Sequence, residues 1–263
     1  MPRISVVTPE KAEIASPPEG VSTSGDLLGY LKTGQFPLQL YRQSAKEGAE
    51  LQLGPMAADS VAFVWRGEAA AGGHTLPAGS SIVVERGEAV SIQVRRDGTE
   101  ILVFFATEAV PSDKPGGHVH ILPAGKVPTS DDLGGGTGVA GAIHADSGCP
   151  TCDVWLHENR FPGALPMSEE EKARGVHSHT EDEIIFVTGG QMRLGNKLVG
   201  PGTALAIAAD TLYSFTPGPD GLSFVNFRAS MPGDINFANG MAISETGYWR
   251  ERLPRPEYLE PVA

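Results

Sequence analysis

The chain of 263 residues is short of positive charge, cysteine and aromatic side chains, and each shortage excludes something. Lys and Arg number 20 against 32 Asp and Glu, a net charge of −12 with no basic patch. That balance argues against nucleic acid as a partner and against binding to an anionic membrane surface. No apolar run approaches the roughly 18 residues that a spanning helix needs. The first twenty residues carry Glu10, Lys11, Glu13 and Glu19 with no apolar stretch, so no secretory signal is expected and the cytoplasm is the expected location. Only two cysteines occur, Cys149 and Cys152, in Cys-Pro-Thr-Cys. Such a C-x-x-C is a redox pair, half of a zinc site, or a loop whose thiols happen to be close; with no second C-x-x-C and no thioredoxin-like βαβ pattern, the loop is the expectation. His144 and Asp146 just upstream leave a structural metal as the alternative.

Glycine (33) and proline (21) are abundant, which favours short strands joined by tight turns over long helices. The turns recur. Residues 63–107 superpose on residues 186–230 after a shift of 123 with no insertion: Phe63 meets Phe186, Gly67 meets Gly190, Gly79 meets Gly202, Asp97-Gly98 meets Asp220-Gly221 and Phe104 meets Phe227. Glycines coincide where turns belong and apolar residues coincide within the runs between them, the signature of a tandem duplication of one β-rich unit. Strands are expected over 37–43, 49–53, 61–66, 81–85, 89–95 and 100–106, and again over 153–160, 183–188, 204–208, 213–216 and 223–229. The second copy carries about seven extra residues, assigned to the acidic segment 165–174, either a short helix or lid or a solvated loop. Residues 1–30 precede the first copy as an arm in which 26–31 is expected as a short helix or strand that docks on one of the copies or on a partner, and 111–150 join the copies; His118 and His120 there read as linker residues, with a second metal site as the alternative.

One stretch carries chemistry. His177, His179 and Glu183 are spaced H-x-H-x3-E, and Gly190 completes E-x6-G. Two imidazoles one residue apart on a strand point to the same side, and Glu183 returns there if the strand runs through. Two neutral nitrogens and a carboxylate make a metal site with open positions. The pattern resembles the first motif of the cupin superfamily, without its leading glycine, since Glu171 stands six residues before His177. The resemblance implies an all-β chain of two tandem cupin (double-stranded β-helix, jelly-roll) barrels: an arm over 1–30, an N-terminal barrel over 31–110, a linker over 111–150 and a C-terminal barrel over 151–263. In the first copy Gly54, Met56 and Ser60 stand where the triad would be, so the resemblance puts the metal in the second barrel only. The second cupin motif maps to Gly202, Ala208, Asp210, Tyr213 and Pro217, and only its leading glycine is kept. Tyr213 takes the place of the usual fourth ligand, a histidine. Tyr213 is then a fourth ligand, an acid/base or hydrogen-bond donor, or a packed aromatic, and His157 or water completes the site instead.

The expected metal ligands are therefore His177, His179, Glu183 and Tyr213, with Glu183 and Tyr213 as catalytic groups and one divalent ion (Fe, Mn, Ni or Zn) as cofactor. The resemblance implies an enzyme acting on a small organic molecule, most readily a dioxygenase-type oxidoreductase, with a lyase or isomerase and a non-catalytic ligand sensor as alternatives. Metal-free isomerase chemistry, with the His pair as base and Tyr213 as acid, is a weaker option. The expected partner is a small substrate, with a homodimer as an added possibility.

Overall fold

The structure is a computed structural model that describes residues 3–31, 34–133, 138–146, 148–163 and 175–262. The segment 165–174, expected as a helix, lid or loop, lies outside the described residues. Among the described residues the chain is nearly all strand, arranged in four sheets, with one α-helix, Glu245–Arg250. No helix among them is long and apolar enough to cross a membrane.

The two largest sheets share one design. In the first half the order is Ser81–Val84, Ser60–Arg66, Thr99–Ala106, Leu38–Ala45. In the second it is Ala204–Ile207, Glu183–Leu194, Thr216–Arg228, Trp155–Phe161. The shift of 123 residues carries Ser81–Val84 onto Ala204–Ile207 without a change of length. It also carries backbone hydrogen bonds onto one another. Gly79 donates to the Val64 carbonyl at 2.8 Å and Gly202 to the Val187 carbonyl at 2.8 Å. Both glycines are left-handed, φ 86° and 87°, a turn geometry that a Cβ would strain. The duplication read from the sequence is thus a duplication of turns and pairings.

The apolar content of each strand sets where it lies. Ser60–Arg66 is buried up to its last residue, because Val61 and Phe63 point into one apolar cluster and Ala62 and Val64 into another. The second of these clusters is the core of the first half. The first lies between the halves, where Leu40, Phe63, Trp65 and Phe104 meet Leu156, Phe186, Val225 and Phe227. A third, with Ile185, Met192, Leu205, Tyr213 and Phe224, lines the interior of the second half.

The expected strands 37–43, 61–66, 81–85 and 100–106 fall on Leu38–Ala45, Ser60–Arg66, Ser81–Val84 and Thr99–Ala106. The strand expected over 213–216 does not form. Tyr213 is an isolated bridge, because its amide and carbonyl are both taken by His177, and the next strand begins at Thr216. The N-terminal arm docks within its own chain: Ile4–Val7 pairs with Ala204–Ile207, and Val21–Thr23 with Glu50–Leu53. His120 lies on a strand, Val119–Leu122, that extends the first half's large sheet, and Ala140–Ala145 extends the second's. Cys149 and Cys152 are joined as a disulfide in the apolar cluster between the halves.

Candidate metal centre

A cavity of about 380 Å³ opens into the second half. Its walls are mostly apolar, from Trp155, Phe161, Ile185, Phe215, Phe224 and Trp249; its polar groups include His157, His177, His179, Tyr213, Asn226, Arg228 and Glu245. That mixture of apolar wall and few convergent polar groups is the usual make-up of a small-molecule site.

Two strands deliver the expected triad. His177 and His179 stand on His177–His179, which pairs with Asp234–Phe237. Their rings are 5.0 Å apart and nearly perpendicular. The strand does not run through to Glu183 as expected; it breaks at 180–182, where the Asp182 carboxylate accepts from the Ala209 amide at 2.9 Å. Glu183 opens the next strand instead and is wholly buried beneath the cavity. Its Oε2 accepts from Asn226 Nδ2 at 2.5 Å and from Arg228 Nη2 at 3.1 Å, and lies 3.9 Å from His179 Nε2. Its Oε1 is buried with no hydrogen-bond partner. Tyr213 packs on His177, ring centroids 4.6 Å apart, and faces the same carboxylate.

Two residues that sequence reasoning did not single out complete the cluster. Arg228, wholly buried, bridges two carboxylates: Nη2 to Glu183 and Nη1 to Glu245. Glu245 is the first residue of the helix that Ser244 caps. Glu245 Oε2 lies 3.1 Å from His179 Nδ1, a distance but not an angle that makes a hydrogen bond. Arg228 could have been found from alternation. In Ser-Phe-Val-Asn-Phe-Arg, residues 224, 226 and 228 share one face of the strand and reach the cavity, while Val225 and Phe227 pack between the halves. A charged residue on the inward face of such a strand is the signal. For Glu245 the sequence carries no comparable signal, because a helix start after a loop has no period to place it.

Electrostatics follow from burial. Burial alone raises a carboxyl, yet the charges of His179 and Arg228 outweigh it and Glu183 titrates below the usual carboxylate range. Glu245 behaves the same way, with Arg228 as the largest opposing influence. Burial lowers His177, leaving it neutral at neutral pH. Tyr213 is pushed well above its ordinary value by burial and then by the Glu183 charge. His157, lowered well below its ordinary value by burial, is sandwiched between Trp155 and Trp249 at 3.7 and 4.0 Å, with neither ring nitrogen partnered.

The donors fit a divalent cation. His177 Nδ1 lies 2.8 Å from the Gly175 carbonyl, which can only accept, so Nδ1 holds the proton and Nε2 keeps its lone pair. His179 turns Nδ1 towards Glu245 and Nε2 towards Glu183. A metal-ligating histidine characteristically has its second nitrogen held as His177 Nδ1 is here. Two carboxylates, Glu183 and Glu245, share the single guanidinium of Arg228, an excess of acidic groups that suits a cation.

No family model matches the chain, and no curated protein matches it. Solved structures do. Protein Ylba from E. coli superposes with a TM-score of 0.62 at 15% identity, covering 86% of this chain and 90% of that one. A candidate dioxygenase from Nostoc punctiforme gives 0.62 at 12% identity, covering 93% and 87%. Bacillus subtilis oxalate decarboxylase, studied for its Mn(II) centers, gives 0.58 at 13% identity, covering 95% and 81%. These neighbours are cupin-type proteins, and at such identities the likeness is one of fold.

Proposed function

We propose that the chain is a two-barrel cupin enzyme that uses one divalent metal ion to act on a small anionic organic molecule, most readily as a dioxygenase-type oxidoreductase. The barrels are residues 31–110 and 151–263, and the second holds the metal at His177, His179 and Glu183. The observation that carries the reading is the wholly buried Oε1 of Glu183, without a hydrogen-bond partner, beside His179, whose Nε2 turns towards Glu183, and His177, whose Nδ1 is held by the Gly175 carbonyl. The recurrence of turns and pairings after 123 residues supports the duplication, and Gly54, Met56 and Ser60 at the equivalent positions leave the first barrel without ligands. Solved neighbours named as a candidate dioxygenase and as an oxalate decarboxylase with Mn(II) centers support metal-dependent chemistry on this fold. Iron, manganese, nickel and zinc all suit the donor set.

When bound, the cation supplies Lewis acidity and open positions for substrate, water or dioxygen. The chain's own residues do the rest. With a divalent cation held by His177, His179 and Glu183, the site beside Arg228 would favour an anionic ligand such as a carboxylate, enolate or catecholate. Tyr213 keeps its phenolic proton at neutral pH and donates it, or a hydrogen bond, to a substrate oxygen. His157, stacked on Trp155 and T-shaped to Trp249, offers two unpartnered nitrogens to the substrate. Arg228 and Asn226 fix the rotamer of Glu183, so the carboxylate presents Oε1 and not Oε2. The reading puts the protein in the cytoplasm, with a small-molecule substrate and a homodimer as its associations.

The test is metal analysis of purified protein together with oxygen uptake and carbon dioxide release against a panel of enolic, catecholic and dicarboxylic substrates. Metal-dependent turnover supports the reading. Tight ligand binding without turnover in metal-replete protein would instead make the chain a sensor.

A further inference from the structure

A second cluster lies away from the cavity. Glu85, His120, Cys149 and Cys152 each offer a donor atom, all four lie within 4.8 Å of one another, and all four residues are buried. They are the one such group of His, Cys, Asp and Glu among the described residues; the donors of His177, His179 and Glu183 are spaced more widely. The cluster is no image of the candidate metal centre under the internal repeat, since the counterpart of Glu85 is Ala208. It is assembled from three parts of the chain. Glu85 follows the strand Ser81–Val84, His120 stands on the neighbouring strand Val119–Leu122, and the two cysteines come from the loop that leads into Trp155–Phe161.

We propose that the reduced chain binds a zinc-class divalent cation here through Glu85, His120, Cys149 and Cys152. Two thiolates, one imidazole and one carboxylate are a tetrahedral, borderline-soft donor set. With metal–ligand bonds of about 2.0–2.3 Å, such a site spaces its donors roughly 3.3–3.8 Å apart. Cys149 Sγ to His120 Nε2 is 3.7 Å and His120 Nε2 to Glu85 Oε1 is 2.7 Å, so the donors already surround a point with little room to spare. A thiol reductant first converts the disulfide to two thiols and is itself oxidised to a disulfide; binding then forms two metal–sulfur bonds and one bond each to His120 Nε2 and Glu85, releases the two thiol protons to solvent and shifts the His120 proton from Nε2 to Nδ1, with no further change of oxidation state. The disulfide and the metal dithiolate are alternative uses of the same two sulfurs.

The surroundings are those of a structural metal site. The Cys152 amide donates to Cys149 Sγ at 3.1 Å, which stabilises a thiolate. Lys114 Nζ donates to the carbonyls of Cys149 and Cys152 at 2.7 Å each, clamping the loop, with its charge paired to Asp153 at 2.9 Å. The second oxygen of Glu85 accepts from the His118 amide at 2.8 Å, and Thr151 donates to the first. Tyr258, from the C-terminal tail, packs on the His120 ring at 4.6 Å. Because Glu85 belongs to the first half and the cysteines lead into the second, a metal here ties the halves together.

The experiment uses full-length protein purified with a thiol reductant, incubated with Zn²⁺ and separately with Co²⁺. The proposal expects one zinc that survives His177→Ala/His179→Ala and is lost from Cys149→Ser/Cys152→Ser. It expects sulfur-to-cobalt charge-transfer absorption in the wild type and in the histidine double variant. It also expects two thiols to become titratable once a chelator and denaturant are added. If the cysteine variant does not fold, the cobalt spectrum and thiol count of the other two proteins still decide the matter. Absence of the sulfur-to-cobalt band, or a disulfide that persists through reduction with no zinc retained, overturns the proposal. Either outcome leaves the reading of the His177 centre untouched, since that site contributes no sulfur.

Discussion

Phe104 stacks on Phe227, with ring centroids 5.2 Å apart and planes 27° from parallel, and the two residues are 123 positions apart. Each is therefore the other's counterpart in the repeat. Trp65 and Thr188 are likewise 123 apart, and the Trp65 indole donates to the Thr188 carbonyl at 3.1 Å. Residues that touch their own counterparts lie on a pseudo-two-fold axis, the isologous geometry of a symmetric dimer made within one chain. Deleting either ring at this buried seam should cost about 3–5 kcal/mol, as large-to-small core changes do. Phe104→Ala and Phe227→Ala should also couple: the double variant should lose less than the sum of the singles in chemical denaturation. Additive losses would show that the rings do not share one packing site.

Arg228 neutralises two buried carboxylates, so its loss leaves both uncompensated. Arg228→Met should cost about 3–5 kcal/mol at neutral pH. The pH dependence should also reverse. In the wild type Glu183 and Glu245 titrate below their ordinary range, so their contribution is full above the unfolded value near pH 4.3 and is lost as pH falls below it. In Arg228→Met the buried carboxyls titrate above that value, the native state binds more protons, and stability falls as pH rises. Thermal melts from pH 4 to pH 8 for both proteins read the two slopes.

Tyr213 separates two roles in one substitution. Tyr213→Phe keeps the ring that packs on His177 and removes only the hydroxyl. A proton or hydrogen-bond donor predicts unchanged metal content and a turnover loss of about 10²-fold. A fourth ligand predicts loss of metal instead. Metal content and kcat measured on the same preparation distinguish them.

His157 is buried with both nitrogens unpartnered, a cost the fold carries without structural return. His157→Leu should be at least as stable as the wild type, because an apolar side chain of similar size suits a slot between two indoles. It should also lose substrate affinity or turnover. Destabilisation by more than about 1 kcal/mol in a thermal melt would give the imidazole a structural role instead.

Much of this was legible in the sequence where period and turn chemistry agree. The glycine pair at 79 and 202 marks the same left-handed turn twice, and the first half's strands fall within a residue or two of expectation, whereas those expected over 183–188 and 223–229 are longer, Glu183–Leu194 and Thr216–Arg228. Where tertiary pairing overrides local pattern, the local pattern misleads. Residues 213–216 alternate like a strand, yet Tyr213 spends its backbone on His177, and the strand begins three residues later. The triad's residues were visible by spacing, but their setting was not. Glu183 meets Arg228 across paired strands, and Arg228 in turn meets Glu245 on a helix, partners that no local window contains. The same holds for Cys149 and Cys152, whose partners Glu85 and His120 come from another sheet.

The central claim is that His177, His179 and Glu183 hold the metal on which activity depends. The most direct measurement is metal content per chain of the wild type and of His179→Ala, with folding of both checked by circular dichroism. The account predicts that His179→Ala loses one equivalent of divalent metal, and all turnover with it, while retaining its strand content. A folded His179→Ala variant with undiminished metal and activity would contradict it.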